Sequence, residues 1–523
     1  MPNTIPGPNR ARQSIAPDGG RYAILSESER CETFVATRKE AEAWRERGAQ
    51  IAVVQGLGFV GAAVAACISA ARAENGDPAF FVIGLDLATP SGYWKVARIN
   101  EGRAPIASPD PELPRLIAEG VNGTRNLRAT TEQEALALAD VIVADIHLDV
   151  KDPARIEPDA IEVNMSAFQS AIHQIGRHMS PDALVMVETT VPIGTTEQVV
   201  RPTLLEERAA RGIDAPLLLA HAYERVMPGP AYVRSIREFW RTYAASDDAS
   251  AERAEAFLSA FIDTDTYPLC RLVGTEASEM AKLMENSYRA ANIAMIHEWT
   301  LMAEKVGVNL FEVVDSIRVR KGTHDNMRYP GFGVGGYCLT KDSLLAQWAG
   351  DNLFGADVTL EMTLQGLRIN RAMPLHVKDL LGEGLGHTKD KTIAILGVSY
   401  MAGLDDTRNT PTEILFAALE DAGADPRVHD PLVRHWEERP DVQVFTDLAG
   451  CVRCADAVVL AVPHAAYAAV MEQLMIACRN NLPLVIDTFN IIDDRQAETY
   501  HQSGGRVFGV GKGHWRKRGL HLG

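Results

Sequence analysis

The sequence predicts an α/β protein in which two doubly wound parallel sheets are joined by a long helix. Three features of the 523-residue chain carry this prediction. Apolar runs of strand length alternate with helical stretches between Ile51 and His221, and the same alternation returns from Lys391 onward. Between them, residues 274–306 contain no proline and repeat apolar residues at helical spacing, which indicates one long helix or a closely broken pair.

The strands of both sheets are predicted from short β-rich runs bounded by glycine, acids or histidine. In the first sheet these are IAVVQG (51–56), FFVIGLD (80–86), VIVAD (141–145), LVMVE (184–188) and PLLLAH (216–221). A helix of small residues over 60–73 follows the first run. The second sheet takes KTIAILG, RVHDP, DAVVLAVPH and PLVIDTFN.

Charge and cysteine usage exclude several classes of protein. A net charge of -17 argues against nucleic acid or an anionic membrane as the partner, because both need a basic surface. The first twenty residues lack an apolar signal-peptide core, and no run has the length of a membrane span. Seven scattered cysteines fit a reducing cytoplasm, so we expect a cytoplasmic protein. The lone pair Cys451 and Cys454 lacks a second pair, so we expect no metal site.

A glycine-rich turn between the first strand and its helix predicts a dinucleotide site. In GLGFVG, Gly56 makes the tight turn, Gly58 admits a pyrophosphate, and Gly61 allows the helix to pack closely. The helix then presents the amides of Phe59 and Val60 to the phosphates. Asp86 ends the next strand, where an acid binds the ribose hydroxyls of NAD and repels the extra phosphate of NADP.

A second glycine-rich segment, YPGFGVGGYCLTKD (329–342), presents Cys338 at its end. Its glycines, among them Gly335 and Gly336, let the backbone approach a bound molecule. We therefore expect a reactive thiol, the alternative being a buried cysteine in an ordinary turn. Asp342 lies four residues after Cys338, where it serves either the site or the N-terminus of a helix.

Further polar candidates come from the long helix and from two strand ends. Lys282 and Asn286 are four residues apart and share one helix face, which suits the stabilisation of an oxyanion. Thr190 and Glu224 follow predicted strands, at the edge where doubly wound sheets bind ligands. For each of these the alternative is an ordinary surface side chain. Of the arginines that precede the cysteine loop, Arg328 is nearest to it.

Taken in order, these segments resemble the nucleotide-sugar 6-dehydrogenases, the UDP-glucose and GDP-mannose dehydrogenase family. The resemblance covers about residues 50–510, and its most specific parts are the cysteine loop and the helix that carries Lys282 and Asn286. It implies two Rossmann-like domains joined by a long central helix that forms a dimer interface, so we expect a homodimer or a higher homo-oligomer. We therefore expect an arm over 1–48, an NAD-binding domain over 49–270, a central domain over 271–375 and a nucleotide-sugar-binding domain over 376–523. Within the arm, residues to about 35 are expected to be loose, and 38–47 to form a short exposed helix.

The resemblance also implies a mechanism in which two NAD molecules oxidise the C6 alcohol of a UDP-sugar to a uronate. Cys338 is the implied nucleophile, which forms a thiohemiacetal and then a thioester. Lys282 and Asn286 stabilise the oxyanions. Thr190 and Asp342 are implied to position water and protons, and Glu224 to assist hydrolysis. Thr190 also lies at the cofactor. The residues implied to bind the substrate are Arg225, Arg328, Gly335, Gly336 and Arg408.

Two sequence features narrow the class of sugar nucleotide that we expect as substrate, and two others depart from the family pattern. The segments YERVMPG and GVGGYC are more similar to the branch that acts on UDP-N-acetylhexosamines than to the UDP-glucose or GDP-mannose branches. Ile146-His147-Leu148 replaces the usual Val-Pro-Thr-Pro turn near the nicotinamide ribose. Met401 replaces the usual lysine, so either the charged part of the substrate is held by other groups or the substrate differs. Such uronates usually serve as precursors of surface polysaccharides.

Three alternatives remain open on the sequence alone. The first is a UDP-glucose 6-dehydrogenase. The second is a two-electron dehydrogenase in which Cys338 is only structural, which leaves the C-terminal third unexplained. The third is a non-catalytic relative that binds a sugar nucleotide; Met401 and the altered turn favour it, and the retained thiol counts against it.

Overall fold

The structure is a computed structural model that describes residues 13–106, 108–227, 229–478 and 481–522. The chain divides into two units. The first comprises the described residues up to Lys151 together with Val163–Lys282 and Ala349–Gly355. The second comprises Asp152–Glu162, Leu283–Trp348 and the described residues from Ala356 onward.

The first unit is built around an eight-stranded sheet with strand order β12-β11-β10-β9-β6-β3-β4-β5. Neighbouring strands from β5 to β10 are parallel, and β11 is antiparallel to β10. The strands of this unit are β1 Gln13–Ile15, β2 Arg21–Ala23, β3 Gln50–Gln55, β4 Phe80–Leu85, β5 Leu127–Thr130, β6 Val141–Ala144, β7 Asp149–Val150, β8 Val163–Asn164, β9 Leu184–Val187, β10 Leu218–Tyr223, β11 Thr242–Ala245 and β12 Cys270–Arg271.

Helices cover both faces of this sheet, as a parallel sheet requires. The helices of this unit are α1 Glu27–Glu46, α2 Phe59–Ser69, α3 Tyr93–Asn100, α4 Glu112–Ala118, α5 Ser166–His178, α6 Arg201–Ala210, α7 Tyr232–Arg237 and α8 Asp248–Ser259. The next helix, α9 Thr275–Val306, begins in this unit and continues into the second. The strand order reverses at β3, which pairs with β4 on one side and β6 on the other. Ligands of doubly wound sheets bind outside the carboxyl ends of the strands at such a reversal.

The second unit repeats this architecture in a parallel sheet of six strands with the order β15-β14-β13-β16-β17-β18. Its strands are β13 Thr392–Leu396, β14 Asp425–His429, β15 Val444–Phe445, β16 Ala457–Leu460, β17 Leu484–Asp487 and β18 Arg506–Gly509. Its helices are α10 Leu310–Arg318, α11 Cys338–Ala349, α12 Glu361–Leu385, α13 Pro411–Asp421, α14 Leu448–Val452, α15 Val470–Ala477, α16 Asp494–Gln502 and α17 Gly513–Lys517.

The predicted fold class is confirmed. The five strands predicted for the first sheet are β3, β4, β6, β9 and β10. The stretch predicted as one helix or a broken pair is a single helix, α9, of 32 residues, and its residues from Leu283 onward belong to the second unit. Across the described part of the chain, no helix combines the length and the apolar character needed to cross a membrane.

The described part of the segment before residue 49 corrects the expectation of a loose arm. β1 and β2 form a hairpin, and α1 is a 20-residue helix that begins with a capping box between Ser26 and Glu29. One face of α1 is buried, and Trp44 Nε1 donates a 3.2 Å hydrogen bond to the backbone oxygen of Arg125. The helix predicted over 38–47 overlaps α1, but its exposure and the looseness predicted for the residues before it were wrong. Few large apolar residues mark the buried face of α1, so its burial depends on contacts with distant residues. Residues 1–12 lie outside the described residues.

Candidate active site

The three glycines of the first βα turn differ in the space that surrounds them. Gly56 has φ +100, and a Cβ there would lie 1.9 Å from the backbone oxygen of Asp145. A Cβ at Gly61 would lie 2.0 Å from the oxygen of Gly56. A Cβ at Gly58 would meet nothing within 4 Å. The outer glycines are therefore required by packing, whereas Gly58 leaves open space beside the start of α2, which fits the approach of a dinucleotide pyrophosphate.

The start of α2 is fixed by an aromatic contact. Phe59 is the first residue of the helix, and its ring lies 4.9 Å from that of Tyr232, centroid to centroid. The Tyr232 hydroxyl donates to the backbone oxygen of Phe59. The first-turn amides of Phe59 and Val60 are therefore held at the mouth of the open space, as a phosphate site requires.

Asp86 lies beside this turn, and it carries a cationic partner that the sequence did not indicate. Its carboxylate accepts hydrogen bonds from the amides of Leu57 and Leu87 at 3.1 and 2.7 Å. Lys95 Nζ lies 3.1 Å from the same carboxylate. The Asp86 carboxylate is thus held by two backbone amides, and Lys95 offsets part of its negative charge.

Three carboxylates follow neighbouring strands of this sheet. Glu188 forms a buried ion pair with Arg241, with 2.5 Å between the carboxylate and a guanidinium nitrogen. Burial raises the pKa of Glu188 above its usual value. Burial, together with the charges of Glu188 and Glu224, raises the pKa of Asp145 well above its usual value. The strand ends therefore form an acidic cluster next to the dinucleotide turn.

Lys282 and Glu224 lie together in the first unit. The Lys282 ammonium donates a 2.7 Å hydrogen bond to the backbone oxygen of Glu224 and lies 3.3 Å from its carboxylate. The ammonium also lies 5.5 Å from the ring centroid of Tyr223. Both partners are buried, and the Glu224 carboxylate accepts a further hydrogen bond from the amide of Val226. The cation is thus held in a defined position at a strand end.

The two neighbouring candidates of this unit are placed as follows. Arg225 donates to the backbone oxygen of Trp240 at 2.6 Å and to the Tyr223 hydroxyl at 2.8 Å, so protein groups hold its guanidinium. Thr190 is half-buried just after β9. Thr189, beside it, donates to the oxygen of Ala144 at 3.1 Å and joins the two strand ends.

A buried acid on α9 organises the turn after β9, and sequence reasoning missed it. Glu279 accepts hydrogen bonds from the amides of Gly194 and Thr196 at 2.5 and 2.8 Å, and from the Thr196 hydroxyl at 2.6 Å. Burial raises its pKa to about 7. The only signal in the sequence was an acid on the apolar face of a helix.

In the second unit, Asn286 and Asp342 are brought together. Asn286 Nδ2 donates a 2.7 Å hydrogen bond to Asp342, and both side chains are buried. Asp342 lies in the helix α11, whose first residue is Cys338. Cys338 is an exposed residue at a helix N-terminus, where the backbone amides favour negative charge.

The glycine loop before Cys338 packs on Tyr400. Gly336 has φ +83, and a Cβ there would lie 2.9 Å from the Tyr400 ring. A Cβ at Gly335 would lie 2.7 Å from Tyr400 Cβ. The amide of Gly336 donates a 3.0 Å hydrogen bond to the backbone oxygen of Arg408. These glycines are therefore required by the close approach of the loop to Tyr400, a contact that sequence reasoning missed.

Arg408 forms a bidentate ion pair with Asp406, with a shortest distance of 2.5 Å. The hydrogen bond to Asp406 raises the pKa of Arg408 against the opposing effect of burial. Its guanidinium lies 5.4 Å from the ring centroid of Tyr337. Burial raises the pKa of Tyr400 to about 12, and the Cys338 charge acts in the same direction. The segment around Arg408 therefore lies within electrostatic range of the thiol.

Arg328 lies among other cations. Burial lowers its pKa, and so do the charges of Arg289 and Arg318. A cluster of guanidinium groups favours an anion.

The pair Cys451 and Cys454 has one buried and one exposed member, and among the described residues no three potential ligand side chains are grouped as a metal site.

Comparison with known proteins gives matches along most of the chain. In the UDP-glucose/GDP-mannose dehydrogenase family, the NAD binding domain matches residues 49–241, the central domain residues 276–371 and the UDP binding domain residues 394–494. The chain is 30% identical over 448 residues to UDP-N-acetyl-D-mannosamine dehydrogenase of Pyrococcus horikoshii, which covers 84% of this chain and 96% of that protein.

Two further similarities concern a second sugar. The chain is 28% identical to NDP-N-acetyl-D-galactosaminuronic acid dehydrogenase of Ralstonia nicotianae, over 79% of this chain and 90% of that protein. The crystal structure of NDP-N-acetyl-D-galactosaminuronic acid dehydrogenase from Methanosarcina mazei superposes with a TM-score of 0.75 at 28% identity. The superposition covers 90% of this chain and 98% of that one.

Proposed function

We propose a specific reaction from one premise: this chain belongs to the UDP-glucose/GDP-mannose dehydrogenase family. It is an NAD-dependent nucleotide-sugar dehydrogenase. The reaction that the site supports best is the four-electron oxidation of the C6 hydroxyl of a UDP-N-acetylhexosamine to the uronate. The observation that carries it is the exposed Cys338 at the first turn of α11, next to the buried pair of Asn286 and Asp342.

The residues of the first βα turn fit NAD. Gly56 and Gly61 hold the turn against the backbone, Gly58 leaves room for the diphosphate, and Asp86 accepts from the ribose hydroxyls. When bound, NAD accepts a hydride in each of the two oxidation steps. Lys95 restrains the Asp86 carboxylate, so the preference for NAD over NADP is expected to be smaller than an unpaired acid would give.

The proposed role of Cys338 is that of the nucleophile. The C6 alcohol first loses a hydride and a proton and becomes an aldehyde. The thiolate adds to the aldehyde carbon, and the carbonyl oxygen takes up a proton, which forms a thiohemiacetal. Loss of a second hydride and a proton leaves a thioester. Water then adds, the carbon–sulfur bond breaks, and the uronate and the thiol are released.

The remaining catalytic roles follow from the polar groups of each unit. Lys282 supplies a fixed cation and Asn286 an amide donor for the oxyanions that form at C6. Asp342 holds Asn286 in place and takes part in proton transfer. Thr190 positions water, and Glu224, which already holds Lys282, assists hydrolysis.

An N-acetylated substrate is supported by the relatives that act on N-acetylated sugars and by the segments YERVMPG and GVGGYC. Arg225, Arg328 and Arg408 are the proposed cationic contacts to the substrate. Gly335 and Gly336 give its backbone contacts, which keeps the sugar close to the thiol. The uronate is then a precursor for surface polysaccharide.

We also propose that the protein forms a homodimer through α9 and works in the cytoplasm. Part of this helix exposes large apolar side chains at helical spacing, an arrangement that monomers rarely leave uncovered. These side chains are Met284, Tyr288, Met295, Trp299, Met302 and Val306.

The deciding experiment measures NADH formed per mole of limiting sugar nucleotide. The substrates are UDP-GlcNAc, UDP-ManNAc, UDP-GalNAc, UDP-glucose and GDP-mannose. Wild type is compared with Cys338→Ser, and with Cys454→Ser as a matched exposed-cysteine control. We expect two NADH per molecule of the preferred UDP-N-acetylhexosamine, loss of acid formation in Cys338→Ser, and normal turnover in Cys454→Ser.

Each other outcome contradicts a defined part of the proposal. One NADH per substrate, unchanged in Cys338→Ser, makes the cysteine structural. Binding without NADH identifies a non-catalytic relative. Two NADH with UDP-glucose, and none with the N-acetylated sugars, keeps the mechanism and overturns the substrate.

A further inference from the structure

His464 lies just beyond β16 and is buried in the second unit. Its Nε2 atom lies 3.1 Å from the Ser399 hydroxyl and 3.2 Å from the Asp430 carboxylate. Its Nδ1 atom lies 3.3 Å from the amide nitrogen of Gly403. One imidazole therefore contacts two points of the loop after β13 and the acid that directly follows β14.

These contacts define the tautomer of the imidazole. A backbone amide only donates, so Nδ1 accepts from Gly403 and the ring hydrogen is on Nε2. The Ser399 hydroxyl donates to the backbone oxygen of Met401 at 3.1 Å, so it is free to accept from Nε2 together with Asp430. All polar atoms of this imidazole are thus used inside the protein, which leaves none for a ligand.

Asp430 holds the start of the same loop. One of its carboxylate oxygens accepts hydrogen bonds from the amides of Val398 and Ser399 at 2.8 and 3.1 Å. His464 and Asp430 together therefore hold residues 398–403 from both ends. We call residues 398–408 the support segment.

The support segment bears directly on the cysteine loop. Tyr400 is the residue against which Gly335 and Gly336 pack, and the Gly336 amide donates to Arg408, the last residue of the segment. The segment is closed internally by a 3.0 Å hydrogen bond from the Tyr400 amide to the oxygen of Asp406. A shift of the segment therefore moves the backbone two residues before Cys338.

We propose that His464 is a positioning residue for the reaction. It holds the support segment, and through Tyr400 the cysteine loop, in the arrangement in which Cys338 attacks the substrate. This inference rests on the proposed function. It assigns a role to a side chain that lies outside the candidate site and is linked to the thiol only through other residues.

The test compares His464→Ala and His464→Asn with His429→Ala. His429 is the matched control, because it is also buried in this unit, but its imidazole bonds to the Tyr467 hydroxyl at 2.9 Å. Four quantities are measured: KM and kcat for the sugar nucleotide, the dissociation constant of NAD, and the alkylation rate of Cys338 by iodoacetamide, followed by peptide mass. The alkylation needs no turnover, so it reports on the thiol even where the proposed reaction fails.

In His464→Ala we expect the KM for the sugar nucleotide to rise by about tenfold. This change corresponds to the loss of at least one buried hydrogen bond. The alkylation rate of Cys338 changes with it, while the NAD dissociation constant, which depends on the first unit, stays within about twofold of wild type. His464→Asn keeps an acceptor for the Gly403 amide and recovers part of both effects. Should the alanine variant fail to fold, the asparagine variant carries the test.

Two results overturn the proposal. Unchanged KM and alkylation in both His464 variants show that the loop keeps its position without the imidazole. Equal changes in His464→Ala and His429→Ala show that the side chain only stabilises the domain.

Discussion

The ammonium of Lys282 contacts two different groups of Glu224: it donates to the backbone oxygen at 2.7 Å and lies 3.3 Å from the carboxylate. The two residues are 58 positions apart in the chain, and both side chains are about nine-tenths buried. The position of the cation is therefore set by the end of β10 as well as by its own helix. The ion pair thus connects the end of β10 to α9.

Replacing Lys282 by methionine is expected to lower both stability and activity. The loss of one partner of a buried ion pair costs about 3–5 kcal/mol, because the Glu224 carboxylate is left uncompensated. Loss of an oxyanion-stabilising group lowers kcat by about 10²-fold or more. Adding Glu224→Gln to Lys282→Met is expected to restore stability in urea unfolding but not turnover. Recovery of activity in the double variant would show that neither Lys282 nor Glu224 takes part in the reaction.

Gly58→Ala and Gly61→Ala are expected to separate cofactor binding from stability. At Gly58 a Cβ enters open space, so the melting temperature stays at the wild-type value while NAD affinity falls by about tenfold or more. At Gly61 a Cβ would lie 2.0 Å from the oxygen of Gly56, so the first unit itself is destabilised. Calorimetry and NAD titration check both. Wild-type NAD affinity in Gly58→Ala would place the diphosphate elsewhere.

Asp145 is expected to make NAD affinity depend on pH. A Cβ at Gly61 would lie 2.9 Å from its carboxylate, which therefore lies beside the start of α2. Burial and the charges of Glu188 and Glu224 raise its pKa, and Lys95 opposes them. Below this raised pKa the group is neutral. As pH rises through it, the carboxylate forms and repels the diphosphate, so the NAD dissociation constant increases.

Asp145→Asn is the variant that checks this dependence. Its NAD affinity should stay at the low-pH wild-type value across the pH range, measured by titration of the protein without substrate. Asp149→Asn, an exposed acid four residues later, is the matched control and should keep the wild-type slope. A flat wild-type profile, or the same slope in Asp145→Asn, would contradict the role of this carboxyl group.

Glu279 is expected to make stability decrease as pH rises. Its pKa in the folded protein is about 7, above the usual value of 4.5, so the folded state binds its proton more tightly. Its stabilising contribution is therefore complete below about pH 4.5 and is lost as pH rises through 7. Between pH 5 and 8 this amounts to about 2–3 kcal/mol, at about 1.4 kcal/mol per pKa unit.

The free energy of unfolding of Glu279→Gln should lack this component, because glutamine does not titrate. Glu298→Gln, an exposed acid on the same helix, serves as the control and should follow wild type. Identical pH profiles for all three proteins would show that Glu279 titrates normally in the folded state.

Local rules predicted much of the fold. The runs that became β3, β4, β6, β9 and β10 were visible because parallel strands are buried on both faces and read as continuous apolar segments. The positive φ of Gly56 and the close approach of Gly61 to Gly56 also followed from the sequence, since a βα turn constrains its own backbone. The approach of Gly56 to Asp145 did not, because it joins two strand ends. The hairpin and the first part of α1 were missed, and α1 was expected to be exposed, because its apolar face contains few large residues.

Long-range pairings were beyond prediction. The contacts of Glu279 with Gly194 and Thr196 join residues that are more than eighty positions apart in the chain. That Tyr400 contacts Gly335 and Gly336 depends on how the segment after β13 packs against the cysteine loop. The sequence contains no periodic signal for either contact.

The sequence by itself determined the two doubly wound sheets, the dinucleotide turn, the long helix and the chemical type of the site residues. These depend on interactions between residues that are close in the chain, where backbone sterics and helical or strand spacing decide. Only the tertiary structure decided that Lys282 is held by Glu224, Asn286 by Asp342, and the support segment by His464. Such contacts join residues tens of positions apart, so they exist only after the sheets have set which strand ends lie side by side.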